Sequence, residues 1–231
     1  MLRSLWDDFV GLVFPRLCLA CREPLVRGEN HLCTGCRAEL PYTDFHRLPP
    51  EQNPLSRRFW GRLPVRHTLS YLHFVRRGRV QNLLHELKYQ GQRDVGTALG
   101  QLYAAELQAA GLAADFDLIV PVPLHPRKLA KRGYNQAAAF ASGLSTGLQL
   151  PWNTTTLHRK ADTKTQTRKN RAQRWANVAT VFEVENSAAI VGQRILVVDD
   201  VLTTGATLEA CAAALLAAGA AEVSLATIAC A

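Results

Sequence analysis

The stretch from Ile195 to Thr207 constrains the fold of this chain more than any other. It begins with four consecutive apolar residues, Ile195 to Val198, a run typical of a strand buried on both faces of a parallel sheet. A loop of hydroxyl residues around Gly205 follows. Leu208 to Ala218 is rich in Ala and Leu and predicts a helix closed by Gly219. The pattern therefore predicts the strand–loop–helix unit of an α/β protein.

The loop between that strand and helix has the chemistry of an anion site. Unpaired N–H groups and the positive end of the helix dipole meet there, and glycine lets the backbone approach a ligand closely. The predicted phosphate-binding residues are Thr203, Thr204, Gly205, Ala206 and Thr207. Asp199 and Asp200 stand beside them and would repel a phosphate, unless they face sugar hydroxyls or a bound Mg²⁺. The residues together predict a sugar phosphate ligand.

The same stretch resembles the 5-phosphoribosyl-1-pyrophosphate (PRPP) motif of type I phosphoribosyltransferases. The hydrophobic run, the acidic pair and the T-T-G-x-T loop all match. The resemblance implies PRPP with Mg²⁺ as the ligand, and Asp199 and Asp200 as the catalytic residues that hold the ribose. The alternative is an ordinary strand and helix joined by a polar turn.

Composition limits the remaining classes. The chain has 231 residues, 48% of them hydrophobic, and a net charge of +8, which suits one ordinary domain with a small appendage. No apolar run reaches the ~18–20 residues of a membrane span. A secretory signal is not expected either, because Asp7 and Asp8 interrupt the only apolar stretch near the N-terminus. We expect a soluble cytoplasmic protein without membrane insertion. The positive charge favours phosphates and nucleic acid equally.

Two C-x-x-C pairs lie near the N-terminus, Cys18 with Cys21 and Cys33 with Cys36. Four thiolates at this spacing can fill the tetrahedral shell of one Zn²⁺, which leaves no open position for chemistry. Two disulfides or a redox pair are the alternatives, and a cytoplasmic location disfavours the first. The pairs predict a structural zinc ribbon, preceded by a helix whose apolar face, Leu2 to Val13, packs on the protein body.

The middle of the chain is less informative. A proline-rich linker is expected over 46–66, a strand over 68–75, and two helices over 80–89 and 95–107 that break around Gly91. His73, His85 and Lys88 are interpreted as surface or packing residues. The predicted domains are an N-terminal zinc module at 1–45, the linker, and a phosphoribosyltransferase-like domain at 67–231.

A second buried strand, Asp117 to Pro123, leads into a basic segment and then a helix from Asn135 to Leu148. In phosphoribosyltransferases the corresponding loop holds pyrophosphate, and Arg132-Gly133-Tyr134 resembles the R-G-[FY] found there. The resemblance implies a pyrophosphate site, and its expected residues are Arg127, Lys128, Arg132 and Gly133. A solvated basic turn is the alternative.

Residues 158–174 form a second basic segment, with seven Lys or Arg residues against one acid. In type I enzymes a flexible loop at this position closes over PRPP and brings basic residues to the pyrophosphate. Arg168 and Arg171 are expected to serve there, and closure would exclude water from the reacting centre. Single-stranded DNA or RNA is the alternative ligand, although Trp175 is the only nearby aromatic residue on which bases could stack.

Four motifs occur in the order found in ComF-family proteins: the four-cysteine module, the V-P-V-P-L-H segment, the T-x-x-Q-T loop and the phosphate motif. This chain resembles that family from about Cys18 to Ala231. The resemblance implies a type I phosphoribosyltransferase fold, a parallel sheet with helices on both faces plus a zinc ribbon. It also implies PRPP binding and a link to DNA uptake and competence proteins.

Phosphoribosyltransferases cover the acceptor base with a segment called the hood. Only the final few residues follow the last predicted strand, Val223 to Ile228. A hood is therefore expected to come from the zinc module and linker. The sequence therefore does not identify the acceptor. Transfer by positioning and electrostatics is one hypothesis; a non-catalytic PRPP or nucleotide sensor, or a single-stranded DNA-binding adaptor, is the other.

Overall fold

A four-stranded parallel sheet lies at the centre of the protein. The structure is a computed structural model that describes residues 14–89, 91–159, 181–185 and 187–231. The strand order is β1-β6-β5-β2. The strands are β1 (Thr68–His73), β2 (Leu118–Pro121), β5 (Arg194–Leu202) and β6 (Glu222–Cys230). Two short strands, β3 (Leu157–Arg159) and β4 (Phe182–Val184), pair antiparallel in a separate ribbon.

The described part of the chain contains a set of α-helices numbered here in chain order. They are α1 (Thr34–Glu39), α2 (Arg79–Tyr89), α3 (Arg93–Ala109), α4 (Pro126–Arg132), α5 (Gln136–Leu148) and α6 (Ala206–Ala217). The predicted helices α2, α3, α5 and α6 are confirmed to within a few residues. The predicted N-terminal helix lies outside the described residues. No described helix has the length and hydrophobicity needed to cross a membrane.

Strand β5 shows that helices cover both faces of the sheet, because alternate side chains enter two different hydrophobic clusters. Leu196 and Val198 belong to the cluster that contains residues of α2, α3 and α5. Ile195 and Val197 belong to the cluster that contains residues of α6. The predicted fold class, a parallel sheet between two helical layers, is confirmed.

Helices α3 and α5 approach each other so closely that glycine is needed on both. A Cβ built on Gly143 would overlap the carbonyl oxygen of Thr97 and lie 2.9 Å from the Cα of Gly100. A methyl group at either glycine would force the two backbones apart. This close contact fixes α5, whose N-cap Asn135 donates a hydrogen bond to the carbonyl of Val122, the residue after β2.

The basic segment and the end of β5 differ from the sequence-based expectation. The basic segment expected as a loop contains the short helix α4, because His125 caps its N-terminus, Pro126 occupies its first turn and Gly133 closes it at φ 78°. Strand β5 continues past the acidic pair to Leu202 because β6 runs beside it as far as Cys230.

The segment predicted as a linker packs on the domain. Leu55 and Phe59 are 3% and 1% exposed and belong to the cluster on the α6 face. The Nδ2 of Asn53 donates a hydrogen bond of 2.7 Å to the carbonyl of Thr68 at the start of β1. The segment is therefore anchored to the sheet, although the predicted domain boundaries themselves stay a prediction.

The cysteine module packs against helix α2. Cys18 and Cys36 are buried in the same hydrophobic cluster as residues of α2. The guanidinium of Arg22 lies 2.5 Å from the carboxylate of Glu86, and the Nδ2 of Asn82 donates to the carbonyl of Ala20 at 2.8 Å. The module and the helix that borders the candidate site thus form one packed unit.

Candidate functional site

The acidic pair lies near the carboxyl end of β5, where ligands bind in parallel sheets. Oδ1 of Asp199 accepts a hydrogen bond of 2.8 Å from the backbone N–H of Asp200. Oδ2 of Asp200 lies 2.9 Å from the Nζ of Lys88, near the end of helix α2. The two side chains of this ion pair are 24% and 18% exposed, so the pair is only partly screened by water.

Burial, followed by the charge of Asp200, raises the pKa of Asp199 to about 7. The N–H of Asp200 and the cation of Lys88 act in the opposite direction because they stabilise the carboxylate. A carboxyl group shifted this far is typical of functional sites. The carboxyl group of Asp199 therefore holds its proton more tightly than an ordinary aspartate does.

The predicted phosphate loop follows directly and encloses a small cavity of about 30 Å³. Gly205 adopts φ 82° as the N-cap of α6, and a Cβ there would lie only 2.9 Å from the ring of Phe59. Arg58 donates a hydrogen bond to the carbonyl of Thr203. The lining of the cavity includes all five predicted residues, Thr203, Thr204, Gly205, Ala206 and Thr207. Phe59 and Arg58 show that the 46–66 segment supports the loop.

A second cavity, of about 180 Å³, adjoins the first. Asp199 and Thr207 line both. Its other charged lining residues are Lys88, Lys128, Arg132, Arg159 and Asp200. Of the predicted pyrophosphate residues, the structure brings Lys128 and Arg132 to the acidic pair. Arg127 and Gly133 belong to α4 and its C-cap and do not line this cavity. Arg168 and Arg171 lie outside the described residues.

The end of α2 and the basic segment hold each other in place. The hydroxyl of Tyr134 donates to the carbonyl of Leu87. The guanidinium of Arg132 lies 5.7 Å from the ring centroid of Tyr89, a cation–π distance, and its Nη1 donates to Oε1 of Gln136 at 2.7 Å. These contacts orient Arg132 toward the acidic pair.

Sequence reasoning missed Lys88, which was interpreted as a surface or packing residue. It lines the second cavity and pairs with Asp200. Nothing in the local pattern of α2 distinguishes it from other exposed helix lysines. Asn135 was also missed as a site residue: it lines the cavity, caps α5 and donates to the carbonyl of Val122 at 2.9 Å. Its N-cap position before a helix was the available signal.

The four N-terminal cysteines converge on one point. Their Sγ atoms all lie within 4.8 Å of one another, and those of Cys21 and Cys33 are 3.8 Å apart. The four residues are Cys18, Cys21, Cys33 and Cys36. Tetrahedral zinc with Zn–S bonds of about 2.3 Å requires sulfurs roughly 3.8 Å apart. The arrangement fits a structural Zn²⁺ with four protein ligands.

The electrostatics of these thiols also suit a cation. Burial opposes ionisation of Cys18, but backbone N–H donors, led by those of Cys21 and Cys33, lower its pKa to about 6. Burial and then the neighbouring sulfurs raise the pKa of Cys36. A divalent cation would relieve this repulsion between thiolates.

Two family models match this chain. The phosphoribosyl transferase domain matches residues 129–230, and the double zinc ribbon domain matches residues 9–46. The DNA utilization protein YhgH of Escherichia coli strain K12 is 30% identical over 229 residues, covering 93% of this chain and 96% of that protein. The competence protein ComFC of Bacillus subtilis strain 168 is 25% identical, covering 92% and 83%. The chain belongs to the ComF family.

The match to a solved structure is weaker. The glutamine PRPP amidotransferase from B. subtilis, complexed with ADP and GMP, has a TM-score of 0.44 at 20% identity, covering 62% of this chain and 30% of that chain.

Within the zinc-ribbon match, this ComF-family protein has four cysteines. Their sulfur atoms fit one tetrahedral zinc site.

The acidic pair can be compared with the ligand preferences of Mg²⁺. This ion prefers hard oxygen ligands and is usually held by one or two carboxylates together with phosphate oxygens. Asp199 and Asp200 provide carboxylates beside the cavity that the phosphate loop adjoins. The donor set therefore fits Mg²⁺, even though one oxygen of Asp200 already pairs with Lys88.

Proposed function

We propose that this protein binds PRPP together with Mg²⁺ and transfers its phosphoribosyl group to an acceptor. The observation that carries the proposal is the shared lining of two cavities. Asp199 and Thr207 border both the phosphate loop and the basic cavity. A single ligand with a phosphate at one end, a sugar in the middle and a pyrophosphate at the other end matches that order of chemistry.

Each group of side chains would take one part of the ligand. The N–H groups at the start of α6 and the threonine hydroxyls would bind the 5′-phosphate. Asp199 and Asp200 would accept hydrogen bonds from the ribose hydroxyls. Lys128 and Arg132 would stabilise the negative charge that develops on the departing pyrophosphate. Mg²⁺, when bound, would supply further charge neutralisation.

No side chain in this arrangement needs to form a covalent intermediate. The bond between the anomeric carbon and the pyrophosphate oxygen breaks with its electron pair going to pyrophosphate. Positioning of the ribose and stabilisation of the leaving group act directly on this step. Arg168 and Arg171, which lie outside the described residues, are proposed as further pyrophosphate ligands because of the family resemblance.

The names of the relatives supply a biological setting. YhgH is called a DNA utilization protein and ComFC a competence protein. These names support our further proposal that the PRPP chemistry serves the cytoplasmic handling of imported DNA, with single-stranded DNA or competence proteins as partners. The positive net charge of +8 supports contact with polyanions.

Calorimetry with PRPP and Mg²⁺ tests the ligand. Binding to the native protein is expected, and Asp199→Asn with Asp200→Asn should weaken it at least tenfold, about 1.4 kcal/mol. Gln52→Asn, on an exposed turn outside both cavities, is the control. Equal affinity in the double variant and the native protein would refute the assignment. Release of pyrophosphate across a panel of acceptors then tests transfer.

A second candidate, a single-stranded DNA-binding adaptor without turnover, has one observation in its favour. Trp60 is 57% exposed, and the guanidinium of Arg57 lies 5.9 Å from its ring centroid. An exposed ring beside cations is the usual platform for stacked bases. Tight PRPP binding without pyrophosphate release, together with DNA binding that is lost in Trp60→Ala, would favour this candidate.

A further inference from the structure

Helix α2 contacts both the cysteine module and the acidic pair, so it connects the two sites. On the module side, the Nδ2 of Asn82 donates a hydrogen bond of 2.8 Å to the carbonyl of Ala20. One turn later, Oε1 of Glu86 lies 2.5 Å from Nη2 of Arg22. Ala20 and Arg22 flank Cys21 in the sequence. Both contacts therefore attach α2 to the first C-x-x-C turn, here called the knuckle.

The carboxylate of Glu86 depends on the knuckle for its ion pair. Glu86 is 5% exposed, whereas half of the Arg22 side chain is open to water. A buried carboxylate that loses its cation is strongly unfavourable, because the protein interior does not replace the lost hydration. The side chain would have to turn toward solvent, and the last turn of α2 would shift with it. Arg22 therefore fixes this turn only while the knuckle holds Arg22 in place.

Arg22 has a backbone conformation that the knuckle imposes. Its φ is 71°, in the left-handed region that favours glycine, and its N–H donates to the carbonyl of Cys18 at 2.8 Å. The N–H of Cys18 donates to the carbonyl of Glu23 at 2.8 Å, which closes the turn. Such a conformation persists only where its surroundings enforce it. Four thiolates on one Zn²⁺ would enforce it, because metal binding and folding are coupled in small zinc sites.

The last turn of α2 also carries contacts to the candidate PRPP site. Lys88, two residues after Glu86, places its Nζ 2.9 Å from Oδ2 of Asp200. The carbonyl of Leu87 accepts the hydrogen bond from Tyr134 that holds the basic segment. Two residues span only about 3 Å along a helix, so a shift of the turn at Glu86 also moves Leu87 and Lys88.

We propose that Glu86 is a positioning residue through which the zinc module sets the affinity for PRPP. The inference rests on the proposed function. With zinc bound, the closed knuckle keeps Arg22 on Glu86. That ion pair fixes the last turn of α2 and so keeps Lys88 opposite Asp200. When the metal is lost, the knuckle opens, Lys88 loses its fixed position and PRPP binds less tightly.

Thermodynamic linkage makes this coupling reciprocal. The knuckle has two states, closed and open, and both ligands favour the closed one. If bound zinc tightens PRPP binding by some factor, PRPP must tighten zinc binding by the same factor. Coupling between two sites typically amounts to about 5- to 150-fold, and a factor of at least about five is expected for this protein.

Competition with a zinc-selective chelator measures the Kd of zinc for the full chain, with and without saturating PRPP and Mg²⁺. PRPP should lower that Kd at least about fivefold. Calorimetry on the zinc-free chain should show PRPP binding weakened by the same factor. Asp199→Asn with Asp200→Asn, which should bind PRPP poorly, corrects for zinc that PRPP itself takes up.

Variants at both ends of the ion pair test the role of Glu86. Glu86→Gln keeps the shape of the side chain and removes its charge, while Arg22→Met removes the cation. Each should reduce the factor by which PRPP tightens zinc binding to less than about twofold. Arg22→Lys keeps the charge and should restore most of that factor. Arg27→Met, on an exposed residue of the same module, is the matched control and should retain the native factor.

A merely structural role of Glu86 would give a different result. It would weaken zinc binding equally with and without PRPP, so the factor would keep its native value in Glu86→Gln and Arg22→Met. That outcome would overturn the proposal. Loss of the whole circular dichroism signal on chelation would overturn it too, because coupling would then come from global unfolding instead of from α2.

The remaining outcomes separate the coupling from the proposed function. PRPP that binds the native protein but leaves the Kd of zinc unchanged would overturn the coupling and leave the proposed function intact. Absence of PRPP binding to the zinc-loaded native protein would refute the proposed function itself, and the coupling with it.

Discussion

The Nζ of Lys88 lies 2.9 Å from Oδ2 of Asp200, which joins the end of helix α2 to the carboxyl end of strand β5. Two carboxylates adjacent in sequence repel each other, and one cation placed between the helix and the strand offsets part of that repulsion. Lys88 also lines the basic cavity at this edge of the sheet. It therefore connects helix α2 to the candidate sugar site.

Replacing Lys88 with Met should weaken PRPP binding about tenfold, roughly 1.4 kcal/mol. The variant leaves the acidic pair without its partner cation and takes one positive charge from the basic cavity. Lys88→Arg keeps the charge and should retain most of the affinity. Calorimetry with PRPP and Mg²⁺ is the measurement. Native affinity in Lys88→Met would show that the ion pair has no role in ligand binding.

The features predicted best from sequence are those encoded within one short segment. The four apolar residues Ile195 to Val198 are enough to indicate a strand with both faces buried, and the structure confirms it. Gly205 and the threonines around it indicate the turn into α6 in the same way. The cysteine spacing likewise predicts the cluster of four sulfurs.

The features missed depend on which segments meet in three dimensions. Lys88 becomes a site residue only because α2 packs with its last turn beside β5. The 46–66 segment has the composition of a linker, yet Phe59 is buried against the phosphate loop. Long-range packing decides both placements, and a local pattern carries no information about it.

Elemental analysis should find one Zn²⁺ per chain, and Cys33→Ser should release or loosen it. Cys33 provides one of the four converging sulfurs, and its Sγ also accepts the N–H of Cys36 at 3.3 Å. The module should lose local stability because metal binding and folding are coupled in small zinc sites. Cys211→Ala, in the core and outside the cluster, should retain the metal. Protein purified without chelators and found free of zinc would contradict the prediction.

The ionised carboxyl group of Asp117 should stabilise the fold at neutral pH and should do so less at acidic pH. Arg194 donates to it from the side chain at 2.6 and 3.0 Å and from the backbone at 2.9 Å, and these hydrogen bonds lower the pKa of Asp117 to about 2. The stabilisation is present above pH ~4 and is lost as the pH falls toward 2. Asp117→Asn should therefore cost ~0.5–1 kcal/mol at pH 7, a value typical of partly exposed pairs, and almost nothing near pH 2. Urea unfolding at both pH values measures it, and an equal cost at both would contradict the linkage.

Asp199 should behave in the opposite way, because burial and then Asp200 raise its pKa from 3.8 to about 7. Between those pH values the folded protein keeps a proton that the unfolded chain releases, so stability of the ligand-free protein should fall as the pH rises from about 4 to about 7. Asp199→Asn removes the titration and should be more stable than the native protein at pH 8, by at least ~1 kcal/mol, and close to it at pH 4.

The same urea series with and without Asp199→Asn measures this difference, and Asp117→Asn is its internal control because both carboxylates contact strand β5 or belong to it. One substitution should stabilise the protein at high pH and the other should destabilise it there. If both variants lost stability at pH 8, the carboxyl of Asp199 would be held ionised by its surroundings. The acidic pair would then be preorganised as two carboxylates before any Mg²⁺ or sugar binds, and Lys88 would be the group that keeps it so.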